Sequence, residues 1–166
     1  MVDDNGCREA FKGYPSKAPE LDRYLAYIVN CAITGREYVI YGYKGKQVRD
    51  QIHSHDVASL FLHFYRSPSA GEVYNLGGGR RNSTSILETI DLLDDMGFKL
   101  KYSYRPANRL GDHICYISDL SKIRAHFPQC KLEYDLPAIL SEIARQRLNR
   151  QRLKGSSQLP QSAAHV

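Results

Sequence analysis

The chain predicts a mixed α/β fold, and three observations carry that expectation. Runs with apolar residues at three- and four-residue steps alternate with short β-branched and aromatic runs. Clusters of Gly, Pro, Asn and Ser separate them. The 166 residues, 42% hydrophobic and 25% charged, suffice for one compact domain with its own core.

Residues 1–19, with Gly6, Gly13, Pro15 and Pro19 and no sustained period, read as a flexible leader. From Leu21, the residues Tyr24, Leu25, Ile28, Cys31 and Ala32 recur at helical steps, and Gly35 supplies a stop. Tyr38-Val39-Ile40-Tyr41 reads as a strand. Val48, Asp50 and Ile52 then hand over to a helical pattern of Val57, Leu60, Phe61 and Phe64, for which Ser54 is the expected N-cap. The segment EVYNLGGG reads as a further strand ending in glycines. Ser85-Ile86-Leu87-Glu88 matches a capping box opening a helix through Ile90 and Leu93. KLKYSY is a strand, HICYIS an extended segment, SDLSKIRAHF a short helix, and Asp135 caps a last helix along Leu136, Ile139, Leu140 and Ile143. The expected organisation is a leader over 1–19, a binding part over 20–150 and a disordered tail over 151–166.

No run approaches the ~20 apolar residues of a membrane span, and no basic region followed by an apolar run opens the chain, so the cytoplasm is the default expectation. Cys7, Cys31, Cys115 and Cys130 form no Cys-x-x-Cys pair, which fits reduced thiols better than zinc or a disulfide framework. Of the 23 Lys and Arg residues, Arg145, Arg147, Arg150, Arg152 and Lys154 follow the last acidic residue, and the others balance the 18 Asp and Glu. The net charge of +5 is therefore a C-terminal feature. It reads as a solvated helix end, with no specific nucleic-acid partner expected.

Gly77-Gly78-Gly79 lies where a dinucleotide fold places glycines against a pyrophosphate, but the fingerprint needs a third glycine at the position of Asn82. A structural turn is the favoured reading. Tyr-x-x-x-Lys occurs nowhere among twelve tyrosines. His53-Ser54-His55-Asp56 carries metal-ligand chemistry without a third partner at a recognisable spacing, so a capped helix start is favoured over a metal site. The stronger constellation is cationic. Lys44, Lys46 and Arg49 surround a glycine-bearing loop, and Arg109-Leu110-Gly111-Asp112 follows much later; guanidinium forks suit diphosphate, although Arg49 pairing with Asp50 and Arg109 with Asp112 would account for the same residues.

GYKGKQVRDQIHSHDVASLF, GEVYNLGGGRRNSTS and NRLGDHICYISDLSK stand in an order and spacing that resemble the C-terminal part of the extended short-chain dehydrogenase/reductase superfamily. The resemblance is to its nucleotide-sugar epimerases and dehydratases, nearest to members of the CDP-paratose 2-epimerase type, and covers about residues 21–146. It implies that Arg49 contacts the nucleotide diphosphate and that Arg109 and Asp112 close on the nucleotide. It further implies that Asn75 and Gly77 belong to the last parallel strand beside a Rossmann sheet. Gln51 stands where many relatives have an aromatic residue.

The same resemblance implies an α/β C-terminal substrate-binding part of that fold without its N-terminal Rossmann half. In complete enzymes of the family NAD takes a hydride from the sugar and returns it to the opposite face. This chain lacks the glycine-rich unit and the Tyr-x-x-x-Lys pair, so it is expected neither to bind NAD nor to act alone, with no catalytic residue of its own. The partners implied are a nucleotide-diphosphate sugar and a separately encoded Rossmann half, with dimerisation or aggregation of the isolated chain. The alternative is a non-catalytic domain that binds nucleotide diphosphates or a partner protein.

Overall fold

The computed structural model describes residues 24–108 and 112–156, with side chains through Leu153. The expected leader, Arg109, Cys7 and residues 157–166 lie outside the described residues. Helix α1, Tyr24–Thr34, buries Leu25, Ile28, Val29 and Cys31 along one stripe. Gly35 ends it at φ 67°, where the Arg36 amide donates to the Cys31 carbonyl at 3.1 Å.

Strand β1, Tyr38–Tyr41, follows, and then β2, Val48–Asp50, feeds α2, Ser54–Arg66. The N-cap of α2 is His53, one residue before the expected Ser54. The His53 ring Nδ1 accepts from the His55 amide at 3.0 Å, so the imidazole fills the role expected of the hydroxyl.

Strand β3, Ser83–Ser85, leads into α3, Ile86–Asp95, through the expected capping box. Ser85 Oγ accepts the Glu88 amide at 3.2 Å, and Glu88 Oε2 accepts the Ser85 amide at 2.7 Å. After β4, Tyr102–Arg105, and β5, Cys115–Tyr116, come α4, Ser121–His126, and α5, Leu136–Ser156. Asp135 Oδ1 accepts the Ala138 amide at 3.0 Å, and Pro137 sits in the first turn of α5, where a missing N–H breaks no helical bond. The helix continues to Ser156, into the segment expected as a tail.

Two small sheets result. β1 pairs in parallel with β4, and β2 lies between antiparallel β3 and parallel β5. α1, α3 and α5 close over β1 around Ile28, Val29, Ile40, Leu93 and Leu140. A smaller cluster joins Leu60 of α2 to Leu120, Ile123 and Phe127. No helix among the described residues is long and apolar enough to cross a membrane, and Cys31, Cys115 and Cys130 take no part in a disulfide.

The segment read as a strand over EVYNLGGG is not one: residues 72–76 pair with no strand among the described residues. Side chains hold it instead. Lys122 Nζ donates to the Val73 carbonyl at 2.9 Å, Asn75 Nδ2 donates to the Asp119 carbonyl at 3.4 Å, and Tyr74 packs edge-on against Phe64 and Phe127. Val73 is left 79% exposed. A β-branched, aromatic run becomes a strand only where a ladder partner meets its backbone.

Leu140 is fully buried between the three helices, so Leu140→Ala is expected to cost about 2–5 kcal/mol of stability, measured by urea denaturation. Hydrogen bonds from Ser85, its backbone amide first, hold the Glu88 carboxyl below the usual carboxylate range. A lowered folded pKa stabilises above the unfolded value, and the contribution disappears as pH falls through the lowered one. Glu88→Gln should therefore flatten part of the loss of the urea midpoint on acidification below about pH 4.3, the ordinary glutamate value.

Candidate functional site

β2 is short, and its consecutive side chains leave on opposite faces. Arg49 turns one way, where Nη2 meets Asp112 Oδ1 at 2.5 Å across 63 residues of sequence, and Nη1 donates to the Val48 carbonyl at 2.7 Å. The two side chains are 25% and 23% exposed, enough burial for the charges to hold each other firmly. The Tyr43 hydroxyl donates to the Asp112 carbonyl at 3.2 Å. Of the three residues expected to meet at a ligand, Arg49 and Asp112 are thus brought together. Arg109 is outside the described residues, next to Asn108.

The loop before β2 makes a close approach to that segment. Gly42, Tyr43, Lys44 and Gly45 all have positive φ, at 62°, 47°, 53° and 74°. For Tyr43 and Lys44 this backbone is strained. At Gly42 a Cβ would fall 1.9 Å from Asn108 Oδ1, so only glycine lets the loop lie there. Lys44 and Lys46 are exposed on the same loop.

Beneath Arg49 and Asp112 is a cavity of about 110 Å³, lined also by Tyr24, Tyr38, Tyr41 and Gln47. Burial pushes the Tyr24 phenol well above the usual tyrosine range, partly offset by its hydrogen bond to Thr89 Oγ1 at 2.9 Å. Tyr24 is therefore held as a neutral hydrogen-bond donor. Gln47 is 7% exposed; its Nε2 donates to the Tyr41 carbonyl at 3.0 Å, while Oε1 has no partner among the described residues. Sequence reasoning passed over Gln47, since a glutamine in a polar loop carries no signal of burial.

Asp50 turns the other way from Arg49. Its Oδ2 accepts the Gly79 amide at 2.8 Å and the Ser118 amide at 3.1 Å. A Cβ at Gly77 would fall 2.1 Å from Ser118 Oγ, and one at Gly78 would fall 1.9 Å from the Gln51 carbonyl oxygen. The three glycines thus pack closely against Asp50, Gln51, Asn82, Ser118 and Leu120, as a structural turn does.

His53 and Asp56 belong to the framework too. His53 stacks on Tyr134 with ring centroids 3.9 Å apart, and its Nε2 lies 3.0 Å from Glu142 Oε2. Because Nδ1 accepts from His55, Nε2 carries the proton donated to Glu142. Asp56, 1% exposed, accepts the amides of Glu133 and Tyr134 at 3.0 and 3.3 Å. No group of three or more His, Cys, Asp or Glu side chains able to hold a metal occurs among the described residues.

Arg49 and Asp112 thus form a partly buried guanidinium–carboxylate pair that lines a small cavity on a mixed α/β framework, and known proteins share that framework. Residues 11–77 match the model of the NAD dependent epimerase/dehydratase family. CDP-paratose 2-epimerase of Salmonella typhi is 35% identical over 82 residues, which are 48% of this chain and 24% of that protein. dTDP-glucose 4,6-dehydratase 1 of Escherichia coli is 34% identical over 109 residues, covering 61% and 30%. The UDP-glucose-4-epimerase of Stenotrophomonas maltophila, solved with bound NAD and formylated UDP-arabinopyranose, superposes with a TM-score of 0.69 at 25% identity, over 85% of this chain and 42% of the other.

Over part of its length the chain is therefore similar to NAD-dependent nucleotide-sugar epimerases and dehydratases, and its fold matches part of theirs. Its matches span about a quarter to a third of the length of these curated relatives.

Gly78→Ala should be poorly tolerated, since backbone rather than a flexible side chain blocks the added methyl. The expected loss is about 1–3 kcal/mol or more, read as a lower urea midpoint. Gly71→Ala meets open space and carries only the strain of φ 76°, so a larger loss there would contradict the assignment of the glycine turn to packing.

Proposed function

We propose that residues 20–150 form the nucleotide-sugar-binding part of an NAD-dependent epimerase, with Arg49 and Arg109 gripping the diphosphate and Asp112 closing on the nucleotide. The observation that carries this reading is the meeting of Arg49 and Asp112 at a cavity, from positions 63 residues apart in sequence. In the unliganded chain Asp112 neutralises Arg49, and an entering diphosphate takes its place with two negatively charged oxygens.

The base is cytidine and the reaction CDP-paratose 2-epimerisation, on the strength of the Salmonella relative. NAD and the catalytic tyrosine are supplied from outside this chain, in the cytoplasm, by a Rossmann half. Hydride chemistry is not assigned to any residue here, because the twelve tyrosines include none in a Tyr-x-x-x-Lys pair.

A second reading, a domain whose main role is to bind a partner protein or a second copy of itself, is favoured by one observation. Phe61, Tyr65 and Val73 are 60%, 81% and 79% exposed on α2 and the unpaired segment after it. Sedimentation at micromolar concentration separates the two: stable self-association that Tyr65→Ser abolishes supports it, and a clean monomer removes the self-association form.

Titration calorimetry of the chain with CDP, UDP and dTDP tests the leading reading. CDP is expected to bind most tightly, and Arg49→Ala to weaken it by about 1.5–3 kcal/mol, roughly 10- to 150-fold. Equal binding by the variant would remove Arg49 from the site. Purified chain given NAD and a CDP-sugar should show no epimerisation above a heat-inactivated control.

A further inference from the structure

A buried amide oxygen without a hydrogen bond is costly, and a folded chain that keeps one invites the question of what satisfies it. Gln47 holds such an atom. Its Oε1 has no partner among the described residues, and the side chain lines the cavity under Arg49 and Asp112. The amide cannot simply be reversed. Nε2 donates to the Tyr41 carbonyl at 3.0 Å, and a flipped amide would set two acceptors against each other.

The size of the cavity limits what can come. At about 110 Å³ it is smaller than the roughly 150 Å³ cavity known to take a benzene molecule and far below the roughly 300–1,000 Å³ of a site enclosing a whole ligand. It suits one small ring or part of one. Tyr24, Tyr38 and Tyr41 supply aromatic walls, Arg49 the charge for a phosphate, and Gln47 an acceptor. A pyrophosphate offers that acceptor nothing, because it has no donor when ionised; a nucleoside has hydroxyl and N–H donors.

We infer that Gln47 is a specificity-determining residue: its Oε1 accepts a hydrogen bond from an O–H or N–H donor on the nucleoside whose diphosphate is held at Arg49. This rests on the nucleoside-diphosphate reading of the same cavity. Oε1 is sealed from solvent while Arg49 and Asp112 are paired among the same lining residues. A diphosphate that draws Arg49 away from Asp112 loosens the lining, and the nucleoside supplies the missing donor in the same event. Gln47 thereby separates a nucleotide from a bare anion.

The test is the affinity of the full chain for inorganic pyrophosphate, CDP, 2′-deoxy-CDP, 3′-deoxy-CDP and N4,N4-dimethyl-CDP, for wild type and Gln47→Met. Methionine keeps the volume and removes the acceptor. In wild type, one of the three donor-deleted nucleotides should bind roughly 5- to 15-fold more weakly than CDP, which identifies the ribose or the base as the source. In Gln47→Met that difference should vanish, with CDP weakened by a similar factor and pyrophosphate unchanged.

Wild-type binding that ignores every donor deletion would overturn the inference even if the variant failed to fold, as would undiminished CDP binding by Gln47→Met. Either result, with pyrophosphate and CDP still bound at Arg49, leaves the diphosphate site standing. Absence of binding by both overturns the two together.

Discussion

The short strand β2 is the constraint on which the rest of the site depends, because two adjacent charged side chains leave it in opposite directions. Asp50 takes backbone amides from Gly79 and Ser118 and so fastens the glycine turn and the chain after β5 to one face. Arg49 can reach Asp112 because β5 lies in register beside β2, with Val48 opposite Cys115 and Arg49 opposite Tyr116. A carboxylate satisfied by two amides is a strong, directional anchor. Its failure would release the glycine turn and β5 at once, and the guanidinium would lose the neighbour that fixes its carboxylate partner.

Much of the helical framework was legible because its signals are local. The Ser85–Glu88 box, the Gly35 stop and the Asp135 cap each act within four residues, and each appears where the spacing puts it. The segment over Val73-Tyr74-Asn75-Leu76 was misread for the complementary reason: strand propensity describes a side chain's liking for a pleated surface and does not reveal whether a ladder partner exists. His53 took the cap from Ser54 because an imidazole with a free ring nitrogen accepts as a hydroxyl does, a choice that depends on Glu142 and Tyr134 far along the chain.

The site was less legible than the fold. Arg49 and Asp112 stand in a cationic constellation legible from residue type, but their meeting is implied only by the family resemblance, since a separation of 63 residues leaves no spacing to interpret. The glycines at 77–79 were visible, but their reason was not, because it lies in the Gln51 carbonyl and Ser118 pressing against them. Gln47 gave no sign at all: its importance is a missing contact, and only coordinates record one. The family match itself ends at residue 77, so it includes Arg49 and stops short of Asp112.

Helix α5 gathers positive charge toward its C-terminal end. Its 21 residues extend about 32 Å, and the five cationic residues beyond Glu142 all lie on its later turns or at its end. In the cleft, by contrast, Arg49 is already compensated by Asp112. The field of exposed charges at the helix end fades over a Debye length of about 8 Å in physiological salt. Added salt would therefore screen the charges of the helix end strongly while leaving the partly buried pair of Arg49 and Asp112 comparatively unscreened.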